Sequence, residues 1–122
     1  MVREIKFRVW DEKRKKMLVP AGIYEDGVPF IRYNDGSNAM PLNDYPVMQY
    51  TGLKDKNGRE IYEGDLLSVA PHSRPYEVRW VGAGFFGVDP EYNDLEMHAN
   101  AVKDMEVVGN IWETPELLEG KS

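Results

Sequence analysis

Hydrophobic and polar residues alternate along much of this chain with the period of two that marks a β-strand. Ile5, Phe7 and Val9 interleave with Lys6 and Arg8, predicting a strand with one face toward a core. Trp10 falls on the polar side of that strand, placed to cap an edge or meet a partner. Asp11 to Lys16 reads as a polar turn, and Met17-Leu18-Val19 as a return strand that Pro20 ends. Ile23-Tyr24 and Val28 to Tyr33 flank Glu25-Asp26-Gly27, where Asp-Gly suits the positive φ angles of a two-residue hairpin turn. Asn34 to Pro46 is rich in Asn, Asp, Ser, Gly and Pro without periodicity and reads as a loop.

Regular patterning resumes at Pro46. Val47 to Tyr50 predicts a short strand that Thr51-Gly52 breaks. Asp55-Lys56-Asn57-Gly58 is a strong turn signal, because Asn-Gly tolerates a type I′ turn. Arg59 to Tyr62 follows, then a Glu63-Gly64-Asp65 corner into Leu66-Leu67-Ser68-Val69. After a Pro71 to Pro75 loop, Tyr76 to Val81 alternates with Tyr76, Val78 and Trp80 on one face. Gly82-Ala83-Gly84 forms a hinge or bulge before Phe85 to Val88. Asp94 to Val102 supports helix and strand equally weakly. Met105 to Trp112 predicts a strand in which Gly109 marks a bulge or a close backbone approach. Thr114 (N-cap), Pro115 (first helical position) and Gly120 (stop) frame one helical turn.

The Gly64-Asp65 corner has a mechanical reading. Glycine supplies a backbone conformation closed to other residues, and the aspartate accepts hydrogen bonds from N–H groups of the adjoining turn. An apolar strand, two further strands, and a last strand ending in a short helix then follow. That order predicts a mainly β fold: an SH3-type small barrel core over about residues 47–113, an N-terminal antiparallel extension and a short C-terminal helical turn. Reading Glu63 and Asp65 as a catalytic or metal-binding carboxylate pair is the weaker alternative, since a turn aspartate needs no chemistry to explain it.

The 122 residues suffice for one core, so a single domain over 1–122 is expected. With no cysteine, neither a disulfide framework nor a thiolate zinc site is available. No apolar run reaches the roughly 18–20 residues needed to span a bilayer, and the N-terminus lacks a signal-peptide core. These features predict a cytoplasmic protein with no membrane partner. Residues 1–16 hold seven basic and three acidic side chains, a net of +4, leaving −10 for the remainder within the overall −6. An acidic domain gives little support to non-specific nucleic-acid binding; the basic N-terminal arm is the one place for it to start.

Three blocks lie in order along nearly the whole chain: Arg3-Glu4-Ile5-Lys6-Phe7-Arg8-Val9-Trp10-Asp11 with Lys16-Met17; Met48 to Gly58 with Ile61-Tyr62-Glu63-Gly64-Asp65; and Val108-Gly109-Asn110-Ile111-Trp112-Glu113 with Pro115 to Leu118. Together they resemble the YopX family of small proteins encoded mostly by phages and prophages. The resemblance implies an SH3-type barrel core, a phage or prophage origin and a bacterial host cytoplasm. It implies no catalytic residues, because that family has no agreed set. Residues 70–104 contain no such block. Gly52, Asn57, Gly58, Gly64 and Asp65 read as structural turn residues, and Ile61, Leu66, Val69 and Ile111 as core. Gln49, Tyr50, Tyr62 and Asn110, with Trp10, are the candidates for an interaction surface.

Covalent catalysis finds no support, since no serine sits in a Gly-x-Ser-x-Gly elbow. His72 and His98 show no metal-ligand spacing. No phosphate loop, dinucleotide fingerprint or cofactor motif occurs, so no cofactor is expected. The favoured reading is a non-enzymatic module that binds a protein partner or another copy of itself, with Tyr76, Trp80, Phe85, Phe86 and Trp112 as aromatic content. The alternative is a nucleic-acid-binding accessory protein in which Arg3, Lys6, Arg8, Lys13, Arg14, Lys15 and Lys16 meet phosphates beside Trp10 as a stacking platform. A carboxylate-based, metal-dependent hydrolase ranks last.

Overall fold

In the computed structural model of the chain, the described residues are 5–32, 39–69, 74–82, 84–88 and 95–118. The chain divides into two compact units, one of residues 6–49 and one of residues 50–122 together with 1–5.

In the first unit, β1 (Phe7–Asp11) pairs antiparallel with β2 (Lys16–Leu18) and with the opening of a later strand, setting Phe7 opposite Gln49 and Val9 opposite Val47. The polar turn between β1 and β2 forms because the Asp11 carboxylate accepts the Lys13 and Arg14 N–H groups. Lys15 takes the positive φ of 55° that this turn needs. A three-stranded antiparallel sheet runs β3 (Gly22–Ile23), β4 (Pro29–Arg32), β5 (Ala39–Pro41). The expected loop over 34–46 therefore contains a strand, which the polar composition hid; residues 33–38 lie outside the described residues. The β3–β4 connection also differs from the expected two-residue turn. Tyr24 N–H donates to the Val28 carbonyl and Gly27 N–H to the Tyr24 carbonyl, with Gly27 at φ 89°. This is a three-residue loop whose glycine takes the left-handed position.

In the second unit, β6 (Val47–Lys54), which begins in the first, pairs with β7 (Glu60–Tyr62). Thr51-Gly52 does not break β6 as expected. Gly52 sits at φ 87° in a bulge, the register shifting between Tyr50 and Lys54. The Thr51 hydroxyl bridges the irregularity, donating to the Ile61 carbonyl at 2.8 Å and accepting from Leu53 N–H at 3.1 Å. The Asp55–Arg59 turn repeats the β3–β4 geometry: Gly58 is left-handed and Asn57 is not, so the turn is not type I′.

The five-stranded antiparallel sheet has the order β11-β10-β9-β8-β12, from β8 (Asp65–Ser68), β9 (Tyr76–Val81), β10 (Gly84–Val88), β11 (Leu95–Glu96) and β12 (Glu106–Asn110). One helical turn, α1 (Ala99–Val102), stands before β12. The region that favoured neither helix nor strand thus holds a piece of each. A meander closed by a last strand beside the first, with a helical turn before it, is compatible with an SH3-type small barrel. The core of this unit gathers Ile61, Leu67, Val78, Phe85, Met97, Val102, Met105 and Val107. Val108 is the extra residue of a bulge in β12, since Val107 faces Leu67 and Gly109 faces Leu66. Gly109 also has no room for a side chain: a Cβ there would lie 1.9 Å from Thr114 Oγ1. Both meanings of that glycine hold at once. A 3₁₀ turn, Pro115–Leu118, follows, with Leu117 N–H donating to the Thr114 carbonyl.

Candidate functional site

The residues that stand out in the sequence are mostly consumed in holding the fold. Asp55 is buried and accepts three backbone N–H groups, those of Asn57 and Arg59 on Oδ1 and that of Val107 on Oδ2. Burial pushes its carboxyl up, but the three N–H donors and the Arg59 charge outweigh that and hold it below the ordinary carboxylate range. Lys56 N–H donating to the Met105 carbonyl and Asn57 Nδ2 donating to Glu106 Oε1 latch the same turn onto the β12 segment. Asp65 is fully buried and accepts the Tyr62 N–H at 2.8 Å. Gly64, at φ 84°, donates to the Val78 carbonyl and accepts from Ile111 N–H. The corner therefore joins three segments, and a catalytic role for Glu63 and Asp65 gains nothing from it.

Of the candidate interaction residues, Trp10 lies inside the fold and not on its surface. It is 2% exposed, its indole N–H donating to Glu12 Oε2 at 2.8 Å. The strand is covered on both faces at this point, because Val9 is buried as well. Trp10 therefore offers neither a partner contact nor a base-stacking platform. The Lys15 ammonium, followed by the Trp10 indole, holds the Glu12 carboxyl below its usual range. Tyr50 is buried too, its ring 5.4 Å from that of its cross-strand partner Tyr62. Asn110 is buried and ends β12: its Oδ1 accepts Trp112 and Glu113 N–H while its Nδ2 donates to Glu113 Oε1. Gln49 and Tyr62 are half-buried, Tyr62 donating to Glu60 Oε1 at 3.4 Å. Three of these five residues, Trp10, Tyr50 and Asn110, are buried and offer little surface to a partner.

The basic residues are differently placed. Lys13, Arg14, Lys15 and Lys16 are all exposed, Lys15 pairing with Glu12 at 2.7 Å and Arg14 lying 3.9 Å from Asp11. Lys6 and Arg8 are half-buried, and Arg3 lies outside the described residues. Among the described residues, no group of three or more His, Cys, Asp or Glu is placed to hold a metal ion, and no helix is long and apolar enough to cross a membrane.

Two aromatic features are exposed: one at Trp80, already among the aromatic residues of the interaction reading, and one on the three-stranded sheet that the sequence reading did not single out. At the far end of β9, Arg79, Trp80 and Val81 are all exposed, so neither strand face is covered there. Trp80, 49% exposed, meets its cross-strand neighbour Phe85 edge-on at 4.7 Å. The second feature lies on the three-stranded sheet. Tyr24 stacks on Phe30 at 4.5 Å, and the Arg32 guanidinium stands over the same Phe30 ring at 5.4 Å. Gly22 lies opposite Phe30, and a Cβ on it would come within 2.7 Å of the Phe30 ring. The period-two spacing of Val28, Phe30 and Arg32 was the available signal for this face.

Comparison with known proteins agrees with this architecture. The model of the family described as YopX protein matches residues 6–119. The crystal structure of protein EF1440 from Enterococcus faecalis is similar with a TM-score of 0.71 at 29% identity, covering 96% of this chain and 99% of that one. The crystal structure of protein yopX from Bacillus subtilis gives a TM-score of 0.64 at 21% identity, covering 96% and 98% of the two chains. At that identity the likeness speaks for the fold alone. No curated protein matches the chain.

Proposed function

The chain belongs to the YopX family, and from that premise we propose that it is a phage- or prophage-derived cytoplasmic accessory protein acting as a non-enzymatic protein-interaction module. The single observation that carries this reading is Trp80. A tryptophan half open to solvent, on a strand end with neither face covered, has the make-up of an interface anchor: a large apolar ring with an N–H to direct. Its edge-on contact with Phe85 restrains the ring and lowers the entropy lost on docking. The buried carboxylates and amides of the signature segments are already committed to backbone groups, which favours recognition over catalysis.

The test is affinity capture from phage-infected host lysate with nuclease added, comparing the wild type with Trp80→Ala and with Arg79→Ala. The reading expects a specific partner that survives nuclease, is lost with Trp80→Ala and is kept with Arg79→Ala. A partner retained equally by all three proteins overturns the anchor role.

A second reading is favoured by one observation. Four basic side chains, Lys13 to Lys16, are exposed in one short turn, which suits phosphate contact. It predicts nucleic-acid binding that weakens steeply with salt.

A further inference from the structure

The three-stranded sheet of the first unit carries a face whose charge layout is complementary to itself. Direct cross-strand partners share a face, so Gly22 with Phe30 and Phe30 with Pro41 place Tyr24, Val28, Phe30, Arg32 and Pro41 together on one side of the sheet. The opposite side carries Ile23, Pro29, Ile31 and Met40, of which Pro29 is buried, Ile31 and Met40 are half-buried and Ile23 is exposed. On the first side Tyr24 is 42% exposed, and Arg32 and Pro41 are exposed. The aromatic pair occupies the middle. At one end stand the exposed carboxylates of Glu25 and Asp26 in the β3–β4 loop; at the other stands Arg32. Four residue steps lead from Val28 to Arg32, which puts the two ends about 13 Å apart.

We propose that this face is the contact between two copies of the chain, packed antiparallel about a two-fold axis at Phe30. The two-fold rule demands that if one residue meets a second, the second meets the first. Reversing the strand direction brings Arg32 of each copy over the acidic loop of the other, so both charge contacts form at once. The aromatic rings then cover one another at the centre. Nucleic acid is the other natural occupant of an aromatic face with an arginine. Glu25 and Asp26 beside Tyr24 oppose it, because they would sit against phosphate.

The size of the face limits the affinity. Three strands about 4.8 Å apart, the longest of four residues, give a patch of roughly 14 by 13 Å. That is well below the approximately 800 Å² per partner of a standard stable interface. The pair is therefore weak and populated at high local concentration. Exposed charges make it weaken further as salt rises.

Sedimentation equilibrium on the full chain between about 0.05 and 2 mM reads the association. Two charge variants make the test decisive. Arg32→Glu renders both ends of the face acidic. Glu25→Arg with Asp26→Asn renders both ends basic and keeps the Asp26 Oδ1 acceptor that Val28 N–H uses. All three positions are exposed, and circular dichroism melts confirm that the fold is kept. Each substitution counts twice across a two-fold contact, so each variant alone loses association by about tenfold or more. An equimolar mixture of the two recovers it, as a heterodimer. Trp80→Ala leaves the association unchanged, since that residue lies on another sheet, so the outcome is separate from the fate of the Trp80 reading. A wild type monomeric throughout the range overturns the proposal, as does a mixture that fails to recover pairing. Binding of a labelled oligothymidine that competes with pairing and is lost with Arg32→Glu also overturns it, in favour of nucleic acid.

Discussion

Replacing Asp55 by Asn tests whether one carboxylate ties the Asp55–Arg59 turn to β12. The substitution keeps Oδ1, which accepts Asn57 and Arg59 N–H at 2.8 and 2.9 Å, but turns Oδ2 into an NH₂ facing the Val107 N–H that Oδ2 accepts at 2.9 Å. Two donors then confront each other. Rotating the amide rescues the Val107 contact only by setting the NH₂ against the two turn N–H groups, so no rotamer satisfies all three. The Val107 bond is buried, and leaving a buried donor without its charged acceptor costs about 2–4 kcal/mol. For a chain of this size that lowers Tm by roughly 10 °C. Asp26→Asn is the internal control: its carboxylate serves one exposed N–H through Oδ1, which an amide reproduces, so it should cost less than about 0.5 kcal/mol.

The pH dependence gives a second arm. Because the Asp55 carboxyl lies below its ordinary value in the folded protein, its ionised form is favoured by folding. That stability is fully present above the unfolded pKa of about 4 and is lost as pH falls through the folded value. Urea melts at pH 7, 5 and 3 should show a constant difference between wild type and Asp55→Asn at the first two and a smaller one at the third. A variant within about 0.5 kcal/mol of wild type at pH 7, or a difference unchanged at pH 3, would refute the argument.

Gly109→Ala should destabilise by about 2–4 kcal/mol, because a Cβ 1.9 Å from Thr114 Oγ1 forces that hydroxyl off the Asn110 N–H and carbonyl it holds. The cost should fall by about half in a Thr114→Ala background, read as coupling in a double-mutant cycle; strict additivity would place the strain elsewhere. Gly58→Ala should cost about 1 kcal/mol through its φ of 81° alone, since open space surrounds the position. Changing Lys13, Arg14, Lys15 and Lys16 together to Ala should leave stability within about 1 kcal/mol, their ion pairs being surface contacts. Any nucleic-acid affinity indifferent to that change would end the basic-arm reading. Magnesium, manganese and calcium should leave Tm unmoved; a dose-dependent rise would revive a metal-dependent activity.

The strands and bends were written locally. Alternation marked β1 and β9, and Asp-Gly, Asn-Gly and Glu-Gly-Asp marked the corners, since a turn is decided by three or four adjacent residues and the φ each tolerates. Gly109 was legible both as a bulge and as a close approach for the same reason. The three blocks also carried the family, and with it the expectation of a mainly β fold. Tertiary structure alone decided what alternation cannot express. A period of two says that Trp10 opposes Val9, but not that both faces of β1 are covered there, so a tryptophan read as exposed is buried. The Asp55 turn looked self-contained, yet its third N–H comes from Val107, 52 residues away, and no local rule reports a partner at that distance. The same holds for Trp80, which the sequence sets in line with buried Val78, while its own solvent exposure depends on where the neighbouring strands stop.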